Sequence, residues 1–95
     1  MQRVLTRTVS IEEAEQEFNQ IFQYETRDNF TIKANIIQCY KIQYVNDFVL
    51  MFEEGNCITY EMFQKLDYHG YDIMNLYVSD VTRQLMLVVR KNREW

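Results

Sequence analysis

The chain reads as an α+β domain on three observations. Two stretches place apolar residues at helical spacing. Several short runs are rich in β-branched and aromatic residues and either alternate or are apolar on both faces. Turn residues divide those runs into antiparallel hairpins separated by the helices. The expected architecture is one domain over residues 1–95: a single antiparallel sheet of about five strands with two helices packed on one face. At 95 residues, 47% hydrophobic and 25% charged, the chain has the balance of an ordinary globular domain. Proline is absent and glycine occurs only at Gly55 and Gly70. Breaks are therefore few, and most of the chain should lie in helices and strands.

The elements follow in order. Residues 2–9, with Val4, Thr6, Thr8 and Val9, form a β-branched run expected to be a strand. Ser10 ends it. Ser10-Ile11-Glu12-Glu13 fits a capping box, in which the serine hydroxyl accepts from the third helical amide and Glu13 reaches back to the cap amide. Ile11, Ala14, Phe18, Ile21 and Phe22 then make an apolar stripe, and the spacing predicts a helix over residues 11–28. Residues 30–35 fit either the start of a strand or a cover for the helix end. Ile36, Tyr40, Ile42 and Tyr44 alternate with Cys39, Lys41 and Gln43, as a half-buried strand does. Residues 48–52 form a second strand. A three-residue loop at 45–47 would set Ile42 opposite Leu50 and Tyr40 opposite Phe52, gathering the bulky residues on one face with Lys41 pointing away. A helix over 58–68 follows, capped by Asn56 or Thr59, with Gly70 just past its end. Two strands, 72–79 and 84–90, close the chain. Both are apolar on both faces, so both are expected to be central or well covered.

The net charge of −4 hides a segregation. Residues 1–10 carry +2, residues 11–80 carry −9 and residues 81–95 carry +3. An acidic body with basic ends is a poor ligand for nucleic acid, whose binding rests on neutralising phosphates. Two isolated glycines cannot make a phosphate-cradling loop or a dinucleotide fingerprint. Cys39, Cys57 and the single histidine, His69, lack zinc-site spacing and are read as two reduced thiols and a helix C-terminal cation. A proton shuttle of His69 with Asp67 or Asp72 is the catalytic alternative. Adjacent carboxylates such as Glu12 and Glu13 diverge on a helix, so they do not form a catalytic pair. No catalytic residue, cofactor site or metal site is assigned. No apolar run is long enough to span a membrane and no secretory leader pattern is present, so a cytoplasmic protein is expected.

What remains is a binding surface. The exposed side of the first helix carries Glu12, Glu13, Glu17 and Tyr24. The corner after the second helix gathers Asp67, Tyr68, Tyr71 and Asp72, with Tyr60 one helix length back. Acidic faces dock on basic grooves, and tyrosines anchor interfaces. The expected function is a small intracellular protein-binding module, an inhibitor or adaptor. Viruses and mobile elements encode such modules against host defence, anti-CRISPR proteins among them. This is likeness of type, with no shared motif. Its partner is expected to be a protein with a basic groove, and a homodimer is compatible with the sequence. The alternative is a nucleic-acid-binding regulator using Arg3, Arg7, Arg90, Lys91 and Arg93, should the two ends meet.

Overall fold

Ser10 starts the first helix, α1 (Ile11–Ile21), in the computed structural model, which describes residues 9–42 and 45–92. The capping box is formed: Ser10 Oγ accepts from the Glu13 amide at 3.2 Å, and the Ser10 amide donates to Glu13 Oε1 at 3.3 Å. Ala14, Phe18 and Ile21 form the buried stripe. The helix stops at Ile21, short of the expected residue 28, and the reason is tertiary. Lys65, on the second helix, donates from Nζ to the backbone carbonyls of Gln20 and Gln23 at 3.2 and 3.1 Å. Those carbonyls belong to the terminal turn and its exit, and the last turn has no basic residue of its own to serve them.

Beyond α1 the chain forms a small antiparallel hairpin, β1 (Gln23–Glu25) and β2 (Thr31–Lys33), with Tyr24 opposite Ile32. Asn29 turns it with φ 66°, a conformation that asparagine tolerates. Strands β3 (Ile36–Lys41) and β4 (Asp47–Phe52) make the next hairpin. Helix α2 (Tyr60–Tyr68) is capped by Thr59, whose hydroxyl accepts from the Met62 amide, and Gly70 leaves its C-terminal end with φ 87°. Strands β5 (Tyr71–Val78) and β6 (Leu85–Lys91) complete the fold.

Among the described residues the architecture is α+β with two antiparallel sheets, one of two strands and one of four in the order β3-β4-β6-β5. The expected single sheet of about five strands is thus corrected: β1 and β2 stand apart as their own pair. Of the expected strand at residues 2–9, residues 2–8 lie outside the described residues and Val9 is buried in the core. One core joins Phe18 and Phe22 of α1, Met62 and Leu66 of α2, and the inner face of the four-stranded sheet: Phe48, Leu50, Phe52, Tyr71, Leu87 and Val89. Its rings interlock, Phe18 against Tyr71 at 4.7 Å and Phe22 edge-on to Phe52 at 5.0 Å.

Two further expectations are corrected. In the β3–β4 hairpin Leu50 lies opposite Cys39, and Tyr40 opposite Val49. The register differs from the expected one by three residues, an odd slip that exchanges the faces. Cys39 is buried on the inner face, while Tyr40 and Ile42 are exposed on the other. The wider turn is held by the Ile42 amide donating to the Asp47 carbonyl and by Lys41 Nζ donating to the Val45 carbonyl. Among the described residues, strand β5 is also neither central nor covered: it is a sheet edge, and Ile73, Met74, Leu76, Tyr77 and Val78 are 43–55% exposed.

Candidate docking surface

The helices lie side by side over one face of the sheet, joined through Lys65. Outward positions on α2 follow its 3.6-residue period. Tyr60, Glu61, Gln64, Asp67 and Tyr68 fall within about a third of a turn of one another and all are exposed. The two tyrosines stand out, Tyr60 at 75% and Tyr68 at 78% exposed. On α1 the matching outward positions are Glu12, Glu15, Gln16 and Asn19. The helical layer therefore presents acids and two tyrosines. Its one cation, Lys65, is committed to the end of α1. Beside that end, Asn19, Gln20 and Gln23 line an open depression of about 380 Å³ with no acid or base in its lining.

The remaining expected site residues have internal partners. Glu13 closes the capping box. Tyr24 donates its hydroxyl to Thr59 Oγ1 at 3.1 Å, which ties the β1–β2 hairpin to the start of α2. Asp72 lies opposite Arg90 in the β5–β6 ladder. Glu17 is the centre of a half-buried cluster. Its Oε1 accepts from the Tyr71 hydroxyl at 3.1 Å, and its Oε2 lies 3.1 Å from His69 Nδ1 and 3.6 Å from Lys91 Nζ. Lys91 also donates to the His69 carbonyl at 2.7 Å and sits over the Tyr71 ring at 4.6 Å.

This cluster corrects the expected placement of two residues. Tyr71 is buried at 1% exposure, so it is a core ring with a tethered hydroxyl and not a surface anchor. Glu17 holds α1 to the start of β5 and is not an outward acid. The carboxylate beside His69 is Glu17, from another element, where the sequence suggested Asp67 or Asp72. The arrangement is a structural knot in which acid, phenol, imidazole and ammonium satisfy one another.

The alternative set fares differently. Arg3, Arg7 and Arg93 lie outside the described residues. Arg90 makes a two-pronged contact with the buried Asp47, Nε at 2.7 Å and Nη2 at 3.1 Å, and this pairing raises the guanidinium pKa further. Lys91 is buried within the Glu17 cluster. Of the two, Lys91 is enclosed, while the Arg90 side chain stays 45% exposed beside its Asp47 contact.

Among the described residues no three His, Cys, Asp or Glu side chains gather as a metal-ligating group, and no helix is long and apolar enough to cross a membrane. Glu61 is the surface residue that the sequence reading passed over. Its place next to Tyr60 on a nine-residue helix was the available signal. No protein-family model, no curated protein and no solved structure matches the chain.

Proposed function

We propose that this chain is a non-catalytic protein-binding module that docks the acidic, tyrosine-bearing side of its helical layer on a basic partner surface. One observation carries the reading: Tyr60 and Tyr68 stand three-quarters exposed on one side of α2 with Glu61 and Asp67 beside them. A tyrosine ring left in water forfeits the burial its area offers, and it loses little side-chain freedom when a partner covers it. Acids around such anchors steer a basic partner and set its orientation. The role of an inhibitor or adaptor, of the sort carried by viruses and mobile elements, is supported by small size and acidity alone.

The experiment uses surface substitutions that spare the Glu17 cluster: Tyr60→Ala with Tyr68→Ala, and separately Glu12→Lys with Glu61→Lys. Exposed tyrosine positions of this kind change stability by about 0.5 kcal/mol or less each. Glu12 and Glu61 are first-turn acids whose reversal costs about 1 kcal/mol each, so the charge pair should unfold at a somewhat lower temperature and is compared with the parent below both transitions. Proteins retained from cell lysate by the parent chain, with nuclease present, should be lost by the tyrosine pair and weakened by the charge pair. Equal retention by parent and variants overturns the reading. Retention abolished by nuclease replaces it with nucleic-acid binding through the basic set Arg3, Arg7, Arg90, Lys91 and Arg93.

A further inference from the structure

Among the described residues, strand β5 ends the four-stranded sheet with one long side unpaired. Natural edges are usually blunted by lysine, proline, inward charge or a covering loop. The other edge, β3, has such protection: it carries Lys41 and a register irregularity at Ile36/Gln38. From Ile73 to Val78, β5 has no charged residue and no proline. Its one charge, Asp72, lies at the covered end opposite Arg90. A bulge at Ile73/Asn75 leaves Asn75 to Val78 as the regular, unguarded segment. There the Leu76 amide takes the side-chain oxygen of its own neighbour Asn75 at 2.8 Å, a local substitute for a strand carbonyl.

We infer that β5 pairs antiparallel with β5 of a second copy of this chain, joining two four-stranded sheets into one continuous sheet. A two-fold axis perpendicular to the sheet keeps the helices of both copies on the same side, so each residue meets one from its own face. Centred on Tyr77, this pairing sets Leu76 opposite Val78 of the second copy and brings the two Tyr77 rings together. These central contacts are apolar, the next pair out is Asn75 with Ser79, and no acid faces an acid, which a −4 chain must avoid to self-associate. Leu76 and Val78 are 45% and 55% exposed on one face of the sheet and Tyr77 43% on the other, so the pairing gives an apolar neighbour in the second copy to both faces of the seam. The outward sides of α1 and α2 remain free in this arrangement, so the dimer and the proposed docking surface are independent.

Sedimentation of the full chain across the micromolar range tests the inference. The mass should rise with concentration from 11.7 kDa toward twice that value. Leu76→Lys and Val78→Lys should each weaken the dimer by roughly tenfold or more, since each sets a charged side chain against an apolar one twice per dimer, with the two lysines diagonal across the axis. Both should leave the circular dichroism spectrum of the diluted chain unchanged. If a variant fails to fold, amide exchange of the parent chain decides: the Asn75–Val78 amides should slow with concentration while those of β3 do not. A monomer at all concentrations overturns the inference, as does a dimer that both lysine variants retain. A monomer that dimerises once residues 1–8 are removed also overturns it, because the chain's own N-terminal segment would then be covering the edge.

Discussion

Strands β5 and β6 have the same pattern in sequence and opposite environments in the fold. Each carries large apolar side chains toward both faces. In β6 that demand is met: Leu87 and Val89 are fully buried and Met86 nearly so, because β4 and β5 flank it and the helices lie over it. In β5 only the first residue, Tyr71, is buried, while the five apolar residues from Ile73 onward stay 43% exposed or more. An apolar strand states that cover is wanted. It does not state which neighbour supplies it, whether a helix, the next strand or another molecule.

That contrast is open to direct attack. Leu87→Ala should cost about 2–5 kcal/mol in equilibrium unfolding, a large part of the roughly 5–14 kcal/mol that a chain of 95 residues holds. Leu76→Ala, measured at dilution, should cost less than about 1 kcal/mol, since most of its burial is yet to be gained. Equal losses would mean that β5 is covered within the single chain. The first hairpin offers the same comparison with its register at stake. Leu50→Ala should cost about 2–4 kcal/mol and Ile42→Ala under about 1 kcal/mol. Similar losses at both would restore the pairing of Ile42 with Leu50 and overturn the pairing of Cys39 with Leu50.

A smaller effect separates the two ends of β5. Tyr71→Phe removes the hydroxyl that donates to Glu17 and should cost about 1 kcal/mol, whereas Tyr77→Phe should be neutral in the diluted chain. The smallest effect concerns the thiols. Burial, with Glu15 adding to it, pushes the Cys39 pKa up to about 11 from an ordinary 9.0. A raised thiol pKa means that the folded state favours the neutral form. Its contribution to stability is intact below pH 9 and falls away as pH rises toward 11. At pH 8 an alkylating reagent should modify the exposed Cys57 first and Cys39 only slowly. Equal rates would place Cys39 on the outer face and reverse the register.

Local signals in the sequence were sound and long-range ones were not. The capping box at Ser10, the helix ending before Gly70 and the pairing of the last two strands each depend on neighbours a few residues apart, and each is present in the fold. The β3–β4 register misled because Tyr40 is bulkier than Cys39 and Ile42 more apolar than Lys41. Apolar bulk pointed those two inward, yet it is the Cys39 thiol that is buried on the inner face. Of the candidate surface, Tyr60 and Tyr68 were legible from helical periodicity. Tyr71 and Glu17 were not, because their hydrogen bond joins residues 54 positions apart, and nothing local marks a tyrosine whose hydroxyl will be met by a distant acid.

The Lys65 contacts have a consequence in time. They bridge 45 and 42 positions, and the Tyr24–Thr59 bond bridges 35. As the chain leaves the ribosome, residues 9–30 emerge long before either anchor exists. Until α2 exists, the carbonyls of Gln20 and Gln23 have no Lys65 to accept from, and a helix this short is marginal alone in water. Fixing the end of α1 therefore waits for the synthesis of α2.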